Sequence, residues 1–432
     1  RSYFLNFYKR LQGLSFQTSN SITKNIRSNT LVSGSVAKGK FTRNVLNGLE
    51  GNQGPYRLTG ANNETFFIVL ANTERVFIDG ELLQRGEDQD YVINYNTAEI
   101  TFTPRRMITK DSRIQIEFEY ADRNFLNTNI FATQELEFNK KLKLRVGYFN
   151  NSDAKNSSIN QVLDNRQKQF LYNVGDSIQN AFYPAAVIDT FAAGKVLYEK
   201  IYDTVNNVVV DSFYKYSTDP EKILYNLGFT ETGFGKGNYI PDANSANGKV
   251  FRYIAPVNGL KQGSYEPVMV LITPKRQQLM NLGIDYEIGK NTLLKTEVAA
   301  SSYDVNTLSP VHNGDDKGFA AKLNVSNIKL LKQQNNLQLL SSLDYEFVQQ
   351  KFQPLERLRN VEFTRDWGLP LITPKATEHI VKASAGIKNK AGNSLSYRFT
   401  NYNRSDNYNG FQNMLQQYTN WMNWNFNNEF VV

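Results

Sequence analysis

Ile284-Asp285-Tyr286-Glu287-Ile288 alternates apolar with charged residues, Gly289-Lys290-Asn291 turns the chain, and Leu294, Thr296, Val298 and Ala300 resume the alternation. A period of two gives each run one apolar and one polar face, which is the signature of paired strands. The unit recurs. Leu136 and Phe138 lead across Asn139-Lys140-Lys141 to Leu142, Leu144, Val146 and Tyr148. Phe319, Ala321, Leu323 and Val325 are followed, beyond 332–336, by Leu337, Leu339, Leu343, Tyr345 and Phe347. Val381, Ala383, Ala385 and Ile387 are followed, beyond 389–393, by Leu395, Tyr397 and Phe399. Between hairpins lie long polar excursions: from Asn150 onward, and over 301–318, 349–378 and 401–417. Short turns at one end and long loops at the other are the layout of a transmembrane β-barrel. The expected fold is all-β, with antiparallel transmembrane-type barrel strands and inserted β-sandwich-like modules.

Composition agrees with that class. The chain has 432 residues, long enough for several domains and a sizeable core. Its mean hydropathy is −0.49, and no run approaches the roughly 20 apolar residues of a helical span. A barrel needs none, because only alternate residues meet lipid. The aromatics are 28 Phe and 24 Tyr against 3 Trp, a mixture favoured in strands. Cysteine is absent, which is compatible with any compartment. The net charge of +8 is spread along the chain and reads as solvated loops, with an attraction to anionic head groups as the sharper alternative. Nucleic acid is not an expected partner, since the basic residues do not cluster with aromatics on one element. Arg1-Ser2-Tyr3-Phe4-Leu5 is no signal peptide, and Glu429-Phe430-Val431-Val432 ends inside an alternating run that starts near Trp421 and Trp424. The chain therefore reads as an internal part of a longer protein.

Five regions follow. Residues 1–50 carry strand-like runs such as Phe4-Leu5-Asn6-Phe7-Tyr8 and 31–41. Glu50-Gly51-Asn52-Gln53-Gly54-Pro55 is a dense turn signal and marks a boundary. Residues 51–122 hold closely spaced short strands, including the continuous apolar run 66–70 and the hairpin dipeptide Asp79-Gly80. They predict a small β-sandwich-like module. In its last strand Ile114, Ile116, Phe118 and Tyr120 alternate with Arg113, Gln115, Glu117 and Glu119, and the polar set reads as a solvated face. Residues 123–150 form a barrel hairpin. Residues 151–276 are too long for a bare loop and read as a β-rich insertion, with a short helix near 176–181 and a hairpin of 195–202 with 207–216. Residues 277–432 return to barrel hairpins, truncated at the C-terminus.

The runs Glu50-Gly51-Asn52-Gln53-Gly54-Pro55-Tyr56-Arg57-Leu58, Glu74-Arg75-Val76-Phe77-Ile78-Asp79-Gly80, Arg85-Gly86-Glu87-Asp88 and Asp90-Tyr91-Val92-Ile93 resemble large envelope proteins of Bacteroidota. Gly235-Lys236-Gly237-Asn238-Tyr239 with Tyr265-Glu266-Pro267 shares the likeness. The resemblance implies an outer-membrane β-barrel in a Gram-negative cell outer membrane. It implies no defined activity.

The sequence offers no parts for catalysis. His312 and His379 stand apart, with no cysteine to complete a zinc site or a nucleophile–base pair. The Gly233–Asn238 segment lacks the Lys-Ser/Thr pair of a phosphate loop. The acidic groups 87–90 and 315–316 lack calcium-loop spacing. Glu117 and Glu119 belong to the solvated face described above. No enzyme activity, catalytic residue, cofactor or metal is expected. Aromatics at strand ends, Tyr148, Phe149, Tyr303, Phe319, Phe347, Phe399 and Tyr402, match an interfacial girdle. Asp285, Glu287, Lys295, Glu297, Lys322 and Asn324 fall on the polar face and would line a lumen. The expected partners are outer-membrane lipid and other envelope proteins, and the expected role is support of transport, assembly or surface contact. The rival reading is a soluble or surface-attached β adhesin or glycan-binding protein, whose apolar faces would pack on a second sheet. Residues 337–347 reach the 9–11 residues a membrane strand needs, which favours the barrel.

Overall fold

The computed structural model describes residues 2–6, 12–37, 40–61, 67–121, 125–158, 163–192, 194–205, 208–242, 250–311, 314, 316–422 and 424–432. His312, Asp315 and the turn position Asn206 lie outside them, as do Phe7, Tyr8 and Phe66 of the two apolar runs. The chain divides into two compact units, 1–162 with 274–432, and 163–273.

The first unit is dominated by one twelve-stranded antiparallel sheet. We number its strands β1 (Gln12–Thr23), β2 (Ile26–Ala37), β3 (Phe125–Phe138), β4 (Leu142–Ser158), β5 (Arg276–Ile288), β6 (Thr292–Asp304), β7 (Lys317–Lys332), β8 (Leu337–Val348), β9 (Glu378–Lys388), β10 (Ser394–Arg404), β11 (Asn409–Trp421) and β12 (Trp424–Val431). Among the described residues each pairs only with its neighbours in this order, so the sheet is a meander with edges at β1 and β12 and is not closed into a barrel. The expected hairpins are present in register: Phe138 faces Leu142, Ile288 faces Thr292, and Lys388 faces Ser394. Asn139 and Lys140 turn in the left-handed region that asparagine tolerates, and Gly289 supplies it for the next hairpin.

One excursion is shorter than expected. Residues 401–417 read as a long loop, yet β10 runs to Arg404, β11 begins at Asn409, and 405–408 make a tight turn. Asn401 Nδ2 donates to Asn409 Oδ1 at 2.8 Å, so an asparagine-rich stretch stays extended by pairing across strands. The start also differs. Tyr3-Phe4-Leu5 is bent rather than a strand.

The sandwich-like module starts earlier than residue 51. Its strand Lys40–Asn47 pairs along its length with Arg113–Ala121, which also holds Arg75–Ile78 and Ile68–Val69. A three-stranded sheet of Tyr56–Arg57, Glu99–Phe102 and Tyr91–Asn94 lies across a shared core. Ile114, Ile116, Phe118 and Tyr120 meet Leu58, Tyr91, Ile100 and Phe102 there, all almost wholly buried. The apolar run 66–70 yields only the two-residue strand Ile68–Val69.

The second unit is the expected β-rich insertion, bounded at 163–273 because β4 extends to Ser158. A short 3-10 helix, Ile178–Asn180, stands at the expected site, and a longer α-helix, Asn165–Val174, precedes it. Asp164 accepts from Gln167 N at 2.7 Å while Gln167 Oε1 accepts from Asp164 N at 3.0 Å, a reciprocal cap. The hairpin of Tyr198–Val205 with Val208–Tyr216 forms as expected.

Candidate functional site

Residues directly opposite on neighbouring strands share a face. That rule places Asp285, Lys295 and Asn324 in one row, Glu297 beside Lys322 in the next, and Glu287 on the same side. All six expected lumen-facing residues therefore lie on one face. The register adds partners that single-strand patterning does not reveal. Arg145 makes a two-pronged ion pair with Asp285, Nη1–Oδ2 3.0 Å and Nη2–Oδ1 2.7 Å. Lys322 Nζ lies 2.9 Å from Glu346 Oε2, and Asn324 Nδ2 donates to Asp344 Oδ2 at 2.7 Å. Folding β7 onto β8 about the turn after Lys332 brings these pairs together, so a register argument could have found them.

Part of this polar face is covered by the chain itself, while Glu287 and Lys295 stay exposed. Glu297, nearly buried, accepts from Ser2 Oγ at 2.5 Å, Tyr3 N at 2.8 Å, Phe4 N at 3.0 Å and Asn281 Nδ2 at 3.1 Å. Tyr3 Oη donates to Glu346 Oε2 at 2.9 Å, and Lys322 Nζ sits 3.8 Å from the Tyr3 ring centroid. Burial, reinforced by the Glu346 carboxylate, pushes the Tyr3 phenol well above its ordinary range. Phe4 and Leu5 join Phe149, Leu279, Ala299, Ala320 and Val348 in a small apolar cluster. Burial of Phe4 and of Leu5 is worth about 1.5–3 kcal/mol each and holds the segment down. Gly147 makes the approach possible: a Cβ there would stand 2.4 Å from Leu5 Cδ2 and 2.3 Å from Asn281 Oδ1.

The excursion 349–377 is the second cover. Phe352 and Leu355 enter the same cluster. Phe352 N would lie 2.1 Å from a Cβ at position 318, so Gly318 lets the loop rest on β7. Arg359 bridges Glu346 and, at 2.6 Å, Glu378; these two carboxylates outweigh the effect of burial and raise its pKa. Arg404 meets Asp406 at 2.7 Å and Pro374 O at 2.7 Å.

The same loop clasps the module. Glu117 is fully buried, which overturns the reading of its face as solvated. In the sheet it stands between Arg43 and Arg75. Arg75 reaches it at 3.2 Å, and Arg357 descends from the loop to 3.3 Å while lying over the Phe77 ring. Arg113 Nη2 donates to Thr364 Oγ1 at 2.7 Å. The sequence signal was misleading, because a polar alternate face looks alike whether water or another segment covers it.

The opposite face of the sheet is apolar and bare. Val146, Leu282 and Val298 form one cross-strand row, each 44–49% exposed. Tyr286, Phe319, Leu343, Tyr397 and Leu415 continue this exposed face. Of the expected girdle, Tyr148, Phe319, Phe347 and Phe399 lie here. The other three do not. Phe149 pairs with Phe131 and Leu279 on the polar side and is buried in the cluster under Phe4. Tyr303 pairs with Gln277 on that side. Tyr402 is buried between Phe363, Trp367 and Tyr408, with its hydroxyl donating to Glu378 Oε1 at 2.9 Å. Each is one position out of phase with the apolar set, and a single-residue step exchanges faces. His379, expected to have no role, lies on the apolar side with its Nδ1 2.9 Å from Tyr345 Oη.

No group of acidic residues and histidines suited to holding a metal ion occurs among the described residues. Residues 41–122 match the family model of a domain of unknown function, DUF8818. The match coincides with the clasped module and takes in its first strand, Lys40–Asn47, from residue 41. No curated protein and no solved structure matches the chain.

Proposed function

We propose that the twelve-stranded sheet is the wall of an outer-membrane β-barrel in the envelope of a Gram-negative cell. One observation carries the reading: around Glu297 and Glu346 the sheet is covered on its polar face, while its apolar face there is exposed. A sheet in water does the reverse, because leaving Val, Leu and Phe exposed forfeits the main driving force of folding. In a bilayer the arrangement is the expected one, with apolar residues toward lipid and polar ones toward the interior. Strands β1 to β11 have 11 to 17 residues, enough to cross. In lipid the edges β1 and β12 need strand partners, either each other or further strands.

The role is non-enzymatic. The wall encloses a polar interior narrowed by Ser2–Leu5 and by 349–377, and the barrel supports passage, assembly or surface contact. The likeness to Bacteroidota envelope proteins supports the location. Membrane fractionation with gel mobility before and after boiling tests it. Sedimentation with the outer membrane and a band that shifts on boiling are expected; release in soluble form without detergent would overturn the proposal and revive the adhesin reading.

A further inference from the structure

A cavity of about 500 Å³ opens between the module, the 349–377 loop and the ends of β5, β6, β8, β9 and β10. Five cations line it against two carboxylates, Glu356 and Glu378. Arg359 and Arg404 are satisfied, since both engage Glu378 and each has a second carboxylate partner. The other three have fewer acidic partners. Arg43 makes no hydrogen bond or ion pair among the described residues, and its one acidic neighbour, Glu117, is already shared by Arg75 and Arg357. Arg357 Nη1 is buried, and though near Glu117 it is not aligned for a hydrogen bond. Among the described residues Lys375 Nζ meets only the neutral Gln353 Oε1, at 2.9 Å. Burial lowers the pKa of both Arg43 and Lys375; at Arg43 the Glu117 carboxylate opposes it and the Arg357 guanidinium adds to it.

The geometry points to a binding site for an anionic sugar, its carboxylate or phosphate held by Arg43, Arg357 and Lys375. Planar guanidinium groups match the oxygen pairs of such anions. The space exceeds what a bare ion needs, and Gln115, Gln277 and Gln353 with Tyr303 offer amide and hydroxyl partners for a polyhydroxylated body. This site depends on the fold of the first unit and not on membrane insertion.

The test is calorimetric titration of the full chain in detergent with glucuronate, glucose 6-phosphate and, as the neutral control, glucose. Saturable binding of at least one anion and none of glucose is expected. Arg43→Gln and Lys375→Gln should each weaken it about tenfold or more, with circular dichroism and boiling-dependent mobility unchanged. Equal binding of glucose, unchanged affinity in both variants, or no saturable binding of either anion at millimolar concentration would overturn the site. A protein that sediments with the outer membrane yet binds neither anion refutes this inference alone.

Discussion

Glu297 gathers four donors on one carboxylate, three of them from Ser2, Tyr3 and Phe4. Glu297→Ala would leave two backbone N–H groups and a hydroxyl unpaired beside the apolar cluster, at about 1–3 kcal/mol to the docked segment. Hydrogen exchange or limited proteolysis of residues 2–6 should show faster opening while the β-sheet spectrum persists. Tyr3 gives a pH signature. Its phenol has a raised pKa in the folded state, so the contribution is complete below the ordinary tyrosine value of 10.0 and is lost as pH rises toward the folded value. Thermal melts of the native protein minus those of Tyr3→Phe should show this loss above about pH 10 and none below it. The sequence identified Glu297 as a member of the polar face. It did not identify what Glu297 holds, because Ser2, the first of its three partners in the N-terminal segment, is 295 positions away in the chain.

The module strand Arg113–Ala121 and the loop 349–377 meet at the scale of the element. The buried Glu117 carboxylate is the one acid between Arg43, Arg75 and Arg357. Glu117→Gln would leave Arg75 and Arg357 without their ion-pair partner, at about 3–5 kcal/mol, a cost typical of breaking a buried pair. Denaturant unfolding should show a lowered midpoint for the module. Gly318→Ala would drive a methyl group into the backbone at Phe352 and lift the loop from β7; enhanced protease cleavage within 349–377 is the expected readout. Strand existence and most turns were legible from period and turn chemistry. The short turn at 405–408 was not, since asparagine signals loops in isolation and pairs across strands when a partner is present.

For the whole molecule, the contrast between the faces is the quantity to perturb. Val298 lies on the apolar face between Leu282 and Ala321. If that face meets lipid, Val298→Arg should cost about 2–4 kcal/mol near the bilayer midplane and reduce the fraction that migrates as a folded band before boiling. Lys295→Gln, on the polar face of the same strand, should leave that fraction nearly unchanged. Equal tolerance of both substitutions would count against a lipid-facing wall.

The sequence by itself determined the all-β class, the alternation that defines the two faces, the hairpin turns and the existence of the module and the insertion. These depend on neighbours in the chain, where a period of two and a left-handed turn residue act locally. Tertiary structure alone decided which face is covered, which aromatics fall on which side, and that Glu117 and Glu297 are buried. Those outcomes depend on segments distant in sequence, Ser2–Leu5 and the 349–377 loop, being brought onto the sheet. A polar face written in alternation is the same whether it meets water or another part of the chain, so only the fold distinguishes the two.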